Sequence, residues 1–152
     1  MNLSMITDRT GTDVATATAL RGKIQSEQSL TDSEKNAFER GAFTITMLNR
    51  VESAQKSLSN LLNKYKYTVN ISNKTNWANG EIFNNANYMR LLQNLRALRN
   101  AFYTYNTTPN TPTYIYGYEE ANNIEKILVD INSMIESMEN NFRECDTFYC
   151  GE

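Results

Sequence analysis

Two glutamates in matching local contexts are the first candidates for a catalytic pair in this chain of 152 residues. Glu52 ends the stretch NRVE and Glu125 ends NNIE, so each follows an asparagine by three positions and a β-branched apolar residue by one. Two carboxylates about 5–9.5 Å apart can hydrolyse a glycosidic bond. Both glutamates lie on predicted helices of a bundle, however, where neither a cleft nor sugar-binding donors are expected. The pattern therefore favours helix packing, with Asn49–Glu52 and Asn122–Glu125 bonding another helix or the backbone of a loop.

Other catalytic and metal-binding patterns are missing from the sequence. The chain has no histidine, which removes the imidazole base, Ser–His and Cys–His arrangements and histidine metal ligands. It has neither of the glycine-rich phosphate-binding patterns GxxxxGK[ST] and GxGxxG. Cys145 and Cys150 are too few for a four-ligand zinc site and lack the CxxC spacing of redox enzymes. We expect them to be reduced thiols, with an interchain disulfide as the alternative, and we expect no enzyme activity and no cofactor.

Composition and charge favour one globular domain that binds neither nucleic acid nor membranes. Hydrophobic residues make up 40% of the chain, and 15 basic residues face 17 acidic ones for a net charge of -2. Nucleic-acid binders usually show a basic excess, which is missing here. Arg90, Arg96 and Arg99 are spread around a predicted helix, and we expect them to form a solvated face with local salt links. No secretion-signal pattern and no run of about 20 apolar residues is present. The 21 asparagines are attributed to an AT-rich genome, with some of them serving as caps and turns.

Helical periodicity predicts an all-α fold. Thr12 or Asp13 is the predicted N-cap of a first helix, and a capping box over residues 31–34 starts a second helix that stops at Gly41. Apolar stripes predict three long amphipathic helices at about 44–65, 85–103 and 118–142. We therefore expect a bundle of three long helices plus one or two short N-terminal ones. The domain should span residues 1–143, followed by a short C-terminal tail at 144–152.

Aromatic residues are concentrated outside the predicted helices. The candidates for an interface are Trp77, Tyr114, Tyr116, Tyr118, Phe148 and Tyr149. Tyrosine and tryptophan are enriched at protein–protein interfaces. Two interpretations stay open from the residues alone: these rings either fold back over the ends of the bundle or form a binding surface.

Several stretches, in their order along the chain, resemble a helical module of phage proteins. They are ITDRTGTDV, LTDSEKNAFERGAFTITMLNRVESA, ANYMRLLQNLRALR, YEEANNIEKILVDI and the closing FYCGE. The module occurs in tail-tip, baseplate and tail-fibre-associated proteins of bacteriophages, prophages and phage-tail-like particles, chiefly from Gram-positive hosts. The most specific parts are DRT..DV at Asp8–Val14, GAF....LNRVE at Gly41–Glu52 and ANNIE at Ala121–Glu125. The chain departs from the family in having KNAFERGAF where a bulky, often tryptophan-containing segment is common. The β-rich extension that often follows CGE in the family is expected to be absent, which favours an adaptor or structural subunit over a receptor-binding protein.

The resemblance implies a non-enzymatic structural subunit of a phage or phage-like tail, either an adaptor or an attachment protein. Its partners would be other tail or baseplate proteins, bound by multiple copies in a symmetric assembly. It would be located in the virion tail after assembly in the host cytoplasm. The alternative is a tail module that binds a host-surface glycan through its aromatic loops. Arg9 and Asp13 of the DRT..DV segment are the expected partners of the two Asn–Glu pairs.

Overall fold

A computed structural model describes residues 3–147, with side chains described within residues 3–142. This part of the chain contains five helices and no strand, which confirms the all-α prediction with two shorter helices before three longer ones. The helices are α1 (Gly11–Gln25), α2 (Asp32–Gly41), α3 (Ile45–Lys64), α4 (Asn85–Ala101) and α5 (Tyr118–Thr147). Helix α5 runs five residues past its predicted end, and residues 148–152 of the predicted tail lie outside the described part.

The N-cap of α1 differs from the prediction. Thr10, rather than Thr12 or Asp13, is the cap: its side chain accepts a hydrogen bond from the Asp13 amide, and the Asp13 side chain accepts one from the Thr10 amide. This reciprocal capping box places Asp13 inside the first turn, where its negative charge also suits the helix dipole. The capping box predicted over residues 31–34 for α2 is confirmed.

The three long helices run in the same direction. The contacts that establish this are hydrogen bonds from Arg90 to Glu52, Asn94 to Gln55, Arg50 to Glu125 and Tyr65 to Glu139. Along each pair of contacting helices, residue numbers increase in the same direction, so these helices are parallel. Each segment that connects two successive long helices must therefore run back along the whole length of the bundle. The 20 residues of α3 span about 30 Å, a distance that an extended chain covers in about nine residues. Residues 65–84 and 102–117 are long enough to make these two returns.

The core lies between α3, α4 and α5. The predicted apolar stripes meet there, and the side chains with almost no exposure include Leu58, Leu62, Leu95, Leu98, Ile127, Leu128, Ile131 and Ile135. Full burial of each contributes about 1.5–3 kcal/mol. Phe142, at the predicted end of the last long helix, is 64% exposed, and Ile24 of α1 is also exposed, so neither belongs to the core.

Helices α1 and α2 form a hairpin whose close approach depends on Gly41. A Cβ atom at this position would lie 1.9 Å from the Asp13 carbonyl oxygen and 2.8 Å from the Ala17 Cβ. Gly41 is the last residue of α2, as predicted, and its lack of a side chain also permits contact with the backbone of α1.

Candidate functional site

Asparagine side chains hold the extended segments of the chain against the helices. Backbone N–H and C=O groups that leave water need partners, and no strand in the described residues supplies them. A helical asparagine instead accepts from the N–H and donates to the C=O of one extended residue, at 2.6–3.2 Å. The four such pairs are Asn49–Trp77, Asn63–Val69, Asn94–Ser72 and Asn122–Arg9. The asparagine content attributed to the genome therefore includes four side chains with a specific structural role.

Glu52 and Asn49 together bind residues 74–77, an arrangement that we call the crossover clasp. The buried Glu52 carboxylate accepts from the Lys74 backbone N–H at 2.6 Å and from the Trp77 indole N–H at 2.9 Å. The Arg90 guanidinium of α4 donates to both carboxylate oxygens, at 2.5 and 2.8 Å. The local salt link expected for Arg90 is present, but it is made to the buried Glu52, and the Arg90 side chain is only 20% exposed rather than solvated.

Glu125 and Asn122 bind residues 6–9 in the same way, an arrangement that we call the arm clasp. The buried Glu125 carboxylate accepts from the Ile6 backbone N–H at 2.5 Å and from the Arg9 guanidinium at 2.6 Å. The Arg50 guanidinium of α3 adds a third bond at 2.8 Å. Arg9 thus contacts both members of its Asn–Glu pair, through its backbone and its side chain.

The two clasps repeat the same spacing. In each, the glutamate binds the N–H of the first residue of an extended tetrapeptide, while the asparagine binds the backbone of the fourth. The tetrapeptides ITDR (6–9) and KTNW (74–77) share a threonine in the second place and Asp or Asn in the third. This shared pattern is the sequence signal that could have paired the two segments with the two NxxE stretches.

Asp13 takes no part in either clasp, contrary to expectation. Its carboxylate bonds Thr10 and, at 2.9 Å, the Arg40 guanidinium. The Thr10 amide and hydroxyl, together with Arg40, hold the pKa of Asp13 below its ordinary value. Asp13 therefore fixes the start of α1 and its contact with α2.

The clasps are suited to holding the fold together. Both oxygens of Glu52 and both oxygens of Glu125 accept bonds from protein donors. No group of three or more potential metal ligands comes together among the described residues. Charged groups that leave water need such partners, so the donors around each glutamate offset the cost of its burial.

An aromatic cavity of about 400 Å³ lies where α3, α4 and α5 begin. Its walls include a continuous series of rings: Phe43, Phe83, Tyr88, Tyr114 and Tyr116. Neighbouring ring centroids in the series are 4.7–6.2 Å apart. Tyr114 is 46% and Tyr116 83% exposed, whereas Tyr118 is half-buried beside them. The cavity therefore brings together the predicted Tyr114–Tyr118 candidates.

Trp77 is not part of this exposed aromatic surface, because it is buried. It is only 7% exposed, with its indole N–H on Glu52 and its ring against Phe83 at 5.5 Å. Of the two interpretations left open for Trp77, its burial favours the one in which the ring folds back onto the bundle, as the last residue of a clasped segment. Phe148 and Tyr149, the other predicted interface residues, lie outside the described part of the chain.

Tyr88 is the one ring of the series that is buried and polar at once. It is 7% exposed, and its hydroxyl has no hydrogen-bond partner among the described residues. Burial raises the pKa of Tyr88 to about 12, with Tyr114, Glu120 and Tyr116 adding to the shift. The hydroxyl is therefore a neutral donor at neutral pH, and leaving it unpaired costs about 1–3 kcal/mol.

Comparison with known proteins identifies no relative. The chain matches no protein-family model, no curated protein and no solved structure. Over its described part, no helix is long and apolar enough to cross a membrane. The geometry of the clasps and of the aromatic cavity is therefore the basis for a functional proposal.

Proposed function

We propose that the protein is a non-enzymatic structural subunit of a phage or phage-like tail, a baseplate or tail-fibre adaptor or attachment protein that docks to other proteins. The observation that carries the docking role is the aromatic cavity, whose rim includes the exposed Phe43, Tyr114 and Tyr116. Aromatic residues are enriched in protein–protein interfaces. The tail assignment rests on a resemblance: the DRT, LNRVE and ANNIE stretches, in this order, are similar to those of the helical module of phage tail proteins.

The clasps support docking because they stiffen the surface that would be presented. Phe83 lies in the connection that the crossover clasp holds, and Tyr114 lies in the second connection. Arg99 donates to the Pro109 carbonyl in that second connection at 3.0 Å. A surface ordered before binding loses less entropy when a partner arrives.

The expected partners are other tail or baseplate proteins, bound by multiple copies of this chain in a symmetric assembly. Repeated copies can hold such an assembly through contacts that are individually modest. The alternative of a module that binds a glycan through its aromatic loops is less well supported, since Trp77, one of the aromatic residues of these loops, is buried.

The test is quantitative mass spectrometry of gradient-purified particles from the strain that encodes the chain. A fixed, small ratio to the major tail proteins is expected, and the ratio would suggest the symmetry of the ring. Detection only in the soluble lysate would overturn the structural role. Deletion of the gene should in addition leave particles that lack one or more neighbouring tail proteins.

A further inference from the structure

The rings of the aromatic cavity are tilted relative to one another. The interplanar angles along the series are 48°, 71°, 40° and 48°. Tilted neighbours form wedge-shaped clefts, whereas a sugar ring stacks best on a flat face. Proline rings and short aliphatic side chains fit such clefts, which is how aromatic-lined grooves bind proline-rich segments.

The buried hydroxyl of Tyr88 has no hydrogen-bond partner among the described residues and could donate to an acceptor atom of a ligand. The Tyr114 ring lies 4.7 Å from the Tyr88 ring, the Tyr116 ring lies 4.8 Å from that of Tyr114, and both Tyr114 and Tyr116 are exposed. Exposed side chains change rotamer within picoseconds to nanoseconds, so a ligand that displaces these rings reaches the hydroxyl. A polyproline II segment suits this donor, because it has no internal hydrogen bonds and its backbone carbonyls are free to accept.

The charge of the cavity also favours an uncharged ligand segment. Of the described residues that line it, only Arg9 is charged. Its guanidinium is buried and bonded to Glu125 and to the carbonyl oxygens of Ile6 and Arg40. A phosphate or carboxylate group would therefore find no free cation among these lining residues.

We propose that the aromatic cavity binds an uncharged, proline-containing segment of a neighbouring protein in the polyproline II conformation. One carbonyl of the segment accepts from the Tyr88 hydroxyl, and its proline rings occupy the clefts beside Tyr114 and Tyr116. This inference rests on the proposed docking function and names the chemistry of the partner.

The experiment measures binding of the full chain to two immobilised heptapeptide pools. One pool has proline at positions 2 and 5 and random uncharged residues elsewhere, and the matched pool has alanine at both positions. Saturable binding is expected for the proline pool and not for the alanine pool. Tyr88→Phe should bind the proline pool about three- to tenfold more weakly, as expected for one lost hydrogen bond. Tyr103→Phe, which removes an exposed hydroxyl outside this cavity, should bind like the wild type.

Thermal melting separates loss of binding from loss of structure. Tyr88→Phe should melt at or above the wild-type temperature, because it removes an unpaired buried hydroxyl. Should this variant unfold, Tyr116→Ala replaces it as the test, since that side chain is 83% exposed, and it should also lose binding. Equal binding to both pools, no binding to either, or wild-type binding by a folded Tyr88→Phe would overturn the inference.

A parallel titration uses hexasaccharides of glucose and of N-acetylglucosamine. Saturable binding of either sugar that is lost in Tyr116→Ala would replace the peptide by a glycan and overturn the inference. The particle measurement and the peptide measurement test different proposals. If the chain binds the proline pool but is absent from purified particles, the binding site is supported and the tail assignment is contradicted.

Discussion

The crossover clasp and the arm clasp share a geometry but differ in charge. In the crossover clasp, Glu52 meets one guanidinium, that of Arg90, and the neutral indole of Trp77. In the arm clasp, one oxygen of Glu125 accepts from two guanidiniums, those of Arg9 and Arg50. The backbone arrangement thus accepts either a neutral or a charged side chain as the fourth residue of the clasped segment.

The clasps also differ in how many elements they join. The crossover clasp links α3, α4 and their own connection. The arm clasp links the N-terminal segment to α5 and α3, and Arg9 extends it to α2 by donating to the Arg40 carbonyl at 3.0 Å. Charge and connectivity together indicate that the arm clasp is the more sensitive of the two to mutation.

The largest expected effect comes from neutralising the carboxylates. Glu125→Gln should lower the free energy of unfolding by about 3–5 kcal/mol, because two guanidiniums lose their anion at a buried site. Glu52→Gln should cost less, since only Arg90 loses its partner. Urea denaturation of both variants measures the difference, with Glu119→Gln on the exposed face of α5 as the control. Equal losses would contradict the importance of the second guanidinium.

Replacing the asparagine of each clasp should give the next largest loss of stability. The two replacements should affect different segments of the chain. Asn122→Ala and Asn49→Ala each remove two hydrogen bonds to the backbone, worth about 2 kcal/mol in all. Asn122→Ala should speed amide exchange mainly over residues 3–9, and Asn49→Ala over residues 65–84. Hydrogen exchange with mass spectrometry reads out both patterns.

A matched variant controls for the helix itself. Asn60→Ala changes an exposed asparagine on α3 and should leave exchange in both extended segments unchanged. Identical exchange patterns for Asn122→Ala and Asn49→Ala would show that the clasps open together rather than separately.

A mutation in the hairpin of α1 and α2 should have a third, smaller effect on stability. Of the two clasps, it should weaken only the arm clasp. Gly41→Ala forces a Cβ against the Asp13 backbone, and such overpacking costs about 1–3 kcal/mol. The shift should weaken the bond from Arg9 to the adjacent Arg40 carbonyl. Gly22→Ala is the control, because nothing lies within 4 Å of its added Cβ and the change favours helix α1. A wild-type melting temperature for Gly41→Ala would contradict the close packing.

The sequence predicts the helices better than it predicts how they meet. Apolar periodicity identifies which face of a helix is buried, but it carries no information on whether neighbouring helices run parallel. Neither the contact of Arg90 with Glu52 nor that of Trp77 with Glu52 is predicted, because periodicity relates only residues that are close in the chain. Arg90 and Trp77 meet at Glu52, which lies 38 and 25 residues away from them respectively. The repeated NxxE spacing draws attention to Glu52 and Glu125, whereas the residues that contact them depend on the long returns of the backbone.

The smallest expected effect is on the stability of the protein at acidic pH. It arises from Glu34 and should leave both clasps intact. The Lys23 ammonium, followed by the Thr31 amide and hydroxyl, lowers the pKa of Glu34 from 4.5 to about 2. Because the folded value lies below the unfolded one, this group stabilises the fold above about pH 4.5 and loses that contribution as pH falls towards 2. The pair lies at the surface, so its effect should be modest and should shrink with salt.

The comparison of wild type with Glu34→Gln isolates this carboxylate from every other group that titrates in the same range. The wild type should melt at the higher temperature at pH 6, and the gap should close as both proteins are melted at successively lower pH. A gap that stays constant down to pH 2 would mean that Glu34 acts through its shape in the capping box rather than through its charge. Since Glu34 contacts neither clasp, amide exchange over residues 3–9 and 65–84 at pH 6 should be the same in both proteins.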